Sequence, residues 1–70
     1  MVYRKAVEST SLKSVGYRET EQRLQVEFIN GTVYDYFGVP PAVHGALMVA
    51  GSMGSFFNTK VKERYRFERL

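Results

Sequence analysis

The spacing of apolar residues along this chain changes once, near its middle. Leu24-Gln25-Val26-Glu27-Phe28 alternates strictly between apolar and polar, the period of a strand with one buried face. Upstream, Leu12 to Arg18 is rich in β-formers and runs into the polar stretch Glu19-Thr20-Glu21-Gln22, which reads as a turn. Asn30-Gly31 is a hairpin signal, because both residues accept the positive φ that tight hairpins need. Thr32 to Phe37 is then the return strand. Residues 1–9 offer either a further edge strand or a loose arm, and the pattern leaves both open.

The register of that hairpin decides where two tyrosines point. A two-residue Asn-Gly turn pairs Val26 with Asp35 and Leu24 with Phe37, which aims the Asp35 carboxylate into the apolar face. An unpaired carboxylate there costs several kcal/mol or changes its protonation. A three-residue loop with Gly31 at a bulge shifts the pairing by one and flips the return strand. Tyr34 and Tyr36 then join Leu24, Val26 and Phe28 on one face, and Gln25, Glu27 and Asp35 lie outside. The second register is preferred because it removes the buried charge. The tyrosines then pack in the core, the alternative being an exposed Tyr-x-Tyr platform on which bases stack.

Beyond Val39-Pro40-Pro41 the period becomes helical. Val43, Ala46, Leu47 and Ala50 recur at i, i+3, i+4, i+7 behind a proline suited to a first helical turn. Gly51 is a natural stop, and Ser52 a natural cap for a second helix. Met53, Phe57, Val61 and Tyr65 then recur every four residues, with Phe56 widening the stripe. A second helix persisting to Tyr65 would carry basic residues along both borders of its buried face. The alternative is that Arg66 to Leu70 forms an extended tail anchored by Phe67 and Leu70. The pattern predicts an α+β domain over residues 1–70. Its three-stranded antiparallel sheet, with an optional extra N-terminal strand, is packed by a C-terminal two-helix hairpin.

Composition narrows the chemistry. With no cysteine, disulfides, thiolate metal sites and cysteine nucleophiles are excluded. His44 is the single histidine and falls beside the apolar helical face, so no metal site is expected. Ser9, Ser11 or Ser14 with His44 and a carboxylate is a residue list without a fixed geometry. Neither an enzyme nor a cofactor is expected. No signal-peptide core or apolar run of about 20 residues is present, so a soluble cytoplasmic protein without a membrane partner is expected.

Charge gives the one functional lead. Residues 1–59 hold five basic and five acidic side chains. Residues 60–70 hold Lys60, Lys62, Arg64, Arg66 and Arg69 against Glu63 and Glu68, so the whole net charge of +3 lies there. Such asymmetry is the footprint of a phosphate-bearing partner, or simply of a solvated face. Gly51-Ser52-Met53-Gly54 is also a GxxG between two helices, the arrangement that clamps a nucleic-acid backbone in KH domains. Helix punctuation accounts for Gly51 and Ser52 but leaves Gly54 unexplained.

Three segments, SVGYRE (14–19), LQVEFINGTVYDYFGVP (24–40) and SMGSFFNTKVKERYRFERL (52–70), together resemble the KTSC domain. Tyr34 and Tyr36 stand at that family's Tyr-x-Tyr pair, and Phe56-Phe57-Asn58 at its Phe-Phe-Asn. Arg66 departs from the proline often found after the late tyrosine. The family takes its name from the C-terminus of some lysyl-tRNA synthetases and also occurs as small stand-alone bacterial proteins. The resemblance implies an RNA-related setting and no catalytic residues. The expected function is an accessory module for structured RNA or tRNA. Lys60, Lys62, Arg64, Arg66 and Arg69 would meet phosphates, with Gly51, Ser52 and Gly54 as a further phosphate loop. The alternative is a protein-interaction or homodimerisation module using Val33, Phe37 and an open edge strand.

Overall fold

The computed structural model describes residues 4–70. Five strands, β1 (Lys5–Ala6), β2 (Leu12–Arg18), β3 (Arg23–Phe28), β4 (Val33–Phe37) and β5 (Arg66–Arg69), form one antiparallel sheet. Their spatial order follows the chain order. Two helices, α1 (Pro41–Met48) and α2 (Met53–Lys60), lie between β4 and β5. The α+β class and the helix pair are as the sequence predicts, but the sheet has five strands rather than three. The optional N-terminal strand is the two-residue β1; residues 1–3 of the segment expected to supply it lie outside the described residues.

The fifth strand comes from the end of the chain, where a helix to Tyr65 was one expectation. Helix α2 stops at Lys60 because Val61 leaves helical geometry at φ −122°. The amides of Val61 and Lys62 both donate to Phe57 O, at 3.0 and 2.9 Å, which closes the last turn. The Arg64 amide bonds Val61 O at 3.1 Å, and the chain turns back to run beside β4. Val61 nevertheless keeps its place in the four-residue stripe and is fully buried. The stripe therefore marks a buried surface that outlasts the helix.

The β3–β4 hairpin adopts the three-residue register. Phe28 and Thr32 flank the loop, with the Phe28 amide bonding Thr32 O at 2.9 Å and the Gly31 amide bonding Phe28 O at 2.9 Å. Gly31 takes the left-handed φ of +91° that the bulge requires. Asn30 Oδ1 accepts from the Thr32 amide at 3.0 Å. Leu24 thus faces Tyr36, Val26 faces Tyr34, and Gln25 faces Asp35. Leu12, Val15, Leu24, Val26 and Tyr36 then share the helix-side face with Leu47, Phe57 and Val61.

The opposite face is where the structure departs from a simple inside–outside pattern. Asp35 does point away from the helices, but it is completely buried. Arg23 holds its Oδ2 through Nε at 3.0 Å and Nη2 at 2.6 Å. Gln25 Nε2 donates to Oδ1 at 2.9 Å. The chain of bonds continues across the sheet as Arg4 Nη1 donates to Gln25 Oε1, Arg4 Nε to Ser14 Oγ, and Ser14 Oγ to Glu27. Among the described residues no buried side-chain nitrogen or oxygen lacks a partner. A buried charge is tolerable only when its partners are this complete.

Helix α2 closely approaches Ser11, the residue before β2, at Gly54. A Cβ at that position would lie 2.8 Å from Ser11 Oγ and 3.1 Å from Ser11 Cβ. Close packing thus accounts for the glycine that helix punctuation left unexplained.

Removing Asp35 leaves the Gln25 amide buried without its acceptor, whereas the half-buried Arg23 can turn to water. Asp35→Ala is expected to destabilise the domain by about 2 kcal/mol, a large share of what a small domain possesses. Urea denaturation measures it; a loss below about 0.5 kcal/mol would contradict a structural role for the network around Asp35.

Candidate nucleic-acid interface

The turn from α2 into β5 distributes the five cations unequally. Lys60 is the last residue of α2. Lys62 and Arg64 lie in the following turn, where Arg64 Nε donates to Thr59 O at 3.3 Å. Strand register then places Arg69 opposite Tyr34, on the helix-side face, and Arg66 opposite Phe37, on the other. Arg66 lies over the Phe37 ring at 5.8 Å, beside Arg23 at 5.9 Å. All five are exposed. Arg69 thus lies on the helix-side face, while Arg66 belongs to the charged back of the sheet.

Lys62 also borders an open groove of about 330 Å³. Phe28, Tyr34, Tyr36 and Phe67 form its aromatic lining, with Asn30, Thr32, Lys62 and Glu63 supplying the polar lining. The Phe28 and Phe67 rings each meet Tyr34 edge-on, at 5.6 and 5.5 Å, an arrangement that fixes the tyrosine between them. Tyr36 is anchored against Phe57 at 5.2 Å and is 97% removed from solvent, and burial pushes its hydroxyl pKa up. Both tyrosines lie on the core side of the sheet, as the preferred register predicts, and both also border the groove. Tyr36 is buried there, whereas Tyr34 is half-buried. Phe67 is 50% exposed. As a groove residue it was not legible from helical periodicity, because it follows from the pairing of Arg66–Arg69 with β4.

The Gly51–Gly54 loop is a different kind of place. Ser52 Oγ accepts from the Ser55 amide at 3.3 Å and caps α2. The cleft beside it is lined by Glu8, Ser9, Thr10, Gly51, Ser52 and Met53, with an acid and no cation. Among the described residues there is no group of three or more His, Cys, Asp or Glu able to hold a metal. No described helix is long and apolar enough to cross a membrane. Val33 and Phe37 are both half-buried, and the two arginines over Phe37 cover part of the face proposed for protein contact.

His44 is half-buried and stacks on Tyr17, with centroids 4.4 Å apart and planes 11° from parallel. The Tyr17 hydroxyl donates to Val39 O at 2.5 Å, which ties the start of α1 to β2. The three serines considered with His44 have other contacts: Ser14 bonds Arg4 and Glu27, Ser9 Oγ accepts from the Ser11 and Leu12 amides, and Ser11 lies against Gly54.

A five-stranded antiparallel meander with a helix pair inserted before its last strand defines a small α+β domain class. The sequence model of the KTSC domain matches residues 8–65, and the chain belongs to that family. A KTSC domain protein of Yersinia pestis has a crystal structure that superimposes with a TM-score of 0.93 at 31% identity, covering 100% of this chain and 99% of that one. An uncharacterised protein of Stutzerimonas stutzeri is 46% identical over 68 residues, 96% of each chain. A lysine–tRNA ligase of Nostoc punctiforme is 41% identical over 63 residues, 90% of this chain but 11% of the ligase.

Burial depresses the His44 pKa. The folded state therefore favours the neutral ring, and the unfolded chain takes up the proton first as pH falls. Stability is complete above the unfolded pKa of about 6.5 and declines as pH drops through that value toward the lower folded one. Thermal melts from pH 7.5 down to 5.5 are expected to show a falling Tm that His44→Phe, which keeps the stack, largely abolishes. An unchanged slope in the variant would assign the effect to another group.

Proposed function

We propose that this chain is an accessory module that contacts structured RNA, tRNA included. The observation that carries the reading is the juxtaposition of Lys62 with an open aromatic groove, in the segment that holds the whole net charge. Cations at this end would meet phosphates, which position a nucleic acid without reading its sequence. An unstacked base in a loop has a flat π-face that the exposed Phe67 and half-buried Tyr34 can receive, with Asn30 and Thr32 at hand for its edge. Lys60, Lys62, Arg64 and Arg69 form the phosphate-contacting set. Arg66, on the opposite face of the strand, is left out of that set.

The Gly51–Gly54 loop is left out of the primary surface. Its glycine at 54 has a packing reason, and Glu8 beside it disfavours an anion. The occurrence of a similar segment within lysine–tRNA ligases adds a setting in which such a module would meet tRNA. With about three to four phosphates neutralised, the affinity falls in the weak range of non-specific binding, on the order of 10⁻⁴ to 10⁻⁶ M.

Titrating isotope-labelled protein with tRNA at two salt concentrations tests the reading. Amide shifts are expected to cluster on residues 60–69 and on the groove strand around Tyr34. The logarithm of the association constant should fall with log salt at a slope of about −2 to −3. Lys62→Glu should weaken binding about tenfold, by replacing an attraction with a repulsion. Shifts scattered elsewhere, or an affinity indifferent to salt, would refute it.

A further inference from the structure

Strand β5 is the last in the sheet, and among the described residues no strand pairs with its outer edge. The opposite edge is the two-residue β1. The bonding pattern shows which groups of β5 are free. The Leu70 amide donates to Val33 O at 2.8 Å, and Glu68 and Arg66 lie opposite Asp35 and Phe37 in the same phase. The amides and carbonyls of the even-numbered residues therefore face β4. Those of Phe67 and Arg69 face outward, available to another strand.

We propose that a second copy of this chain occupies that edge, with the two β5 strands paired antiparallel about Phe67. Phe67 of one copy then exchanges both backbone bonds with Phe67 of the other. Arg66 of each copy falls directly opposite Glu68 of the other, and Arg69 opposite Tyr65, so a cation meets an aromatic ring. The charge pattern selects this register over its neighbours. Moving the centre by one residue, a slip of two between the strands, puts it on Glu68 or on Arg66 and sets like charges directly opposite each other. Centring it on Arg69 does the same. Only the Phe67-centred pairing is self-complementary, and it leaves every bond between β4 and β5 intact.

The assembly is a continuous ten-stranded sheet with isologous symmetry. Because Phe67 also lines the aromatic groove, the junction brings the two grooves together on the helix side. The proposal stands on the strand edge alone and does not depend on RNA binding.

Charge reversal separates this edge from any other contact. Sedimentation over a concentration series is expected to show a reversible monomer–dimer equilibrium for the unmodified chain. Arg66→Glu and Glu68→Arg should each weaken it by about tenfold or more, since each turns two opposite-charge cross-strand pairs into like-charge ones. An equimolar mixture of the two variants should regain dimers, because one chain then carries acids at both positions and the other bases. Amide exchange on the unmodified chain gives a second reading free of any folding defect in the variants. Phe67 and Arg69 should be protected at high concentration and exchange freely on dilution. A chain that stays monomeric, dimers indifferent to both reversals, or exchange at Phe67 and Arg69 that ignores concentration would each overturn the proposal.

Discussion

The pairing of β3 with β4 one residue out of the shortest hairpin register is the constraint on which the rest of this domain depends. It places Tyr34 and Tyr36 with Leu24, Val26 and Phe28, and sends Asp35 to the other side. A slip by one residue would exchange the two sets, because side chains alternate along a strand. The aromatic groove, the core beneath the helices and the polar network behind the sheet would all be lost together. Gly31 makes the register possible by taking a φ of +91°, and the Asn30 side chain secures the turn from within.

Each face then uses its chemistry differently. On the helix side, Tyr36 joins Phe57, Leu47 and Val61 in a dry core, while the edge carrying Tyr34 and Phe67 stays open. On the back, Glu27, Ser14, Arg4, Gln25, Asp35 and Arg23 bond in that order, linking β2, β3 and β4 to the segment before β1. Polar groups rather than a second apolar layer thereby bury Ser14, Gln25 and Asp35 on the back. Such a network gives specificity to the register, since the partners of Asp35 meet only when Gln25 lies opposite it.

Much of this was legible in the residues. The 24–28 alternation and the Asn-Gly turn predict the hairpin, and the cost of burying an unpaired Asp35 selects its register. What local pattern could not supply was the burial of Asp35 on the outer face, because its partners Arg23 and Gln25 act across strands and the cover extends to Arg4. The fifth strand was hidden for a related reason. Met53, Phe57, Val61 and Tyr65 keep helical spacing past the point where the helix ends, since Val61 fills a core position from a turn. Phe67 as a groove residue follows only once Arg66–Arg69 is known to pair with β4. The five basic residues were visible as a cluster in sequence, but strand alternation puts Arg66 and Arg69 on opposite faces.

Cross-strand proton contacts in solution test the register most directly. In antiparallel pairs without direct hydrogen bonds, opposing α-protons are in close contact. The structure predicts strong Hα–Hα nuclear Overhauser effects between Gln25 and Asp35 and between Glu27 and Val33. An Hα–Hα effect joining Val26 to Asp35 instead would put the two-residue turn in place, return the carboxylate to the core, and contradict the account.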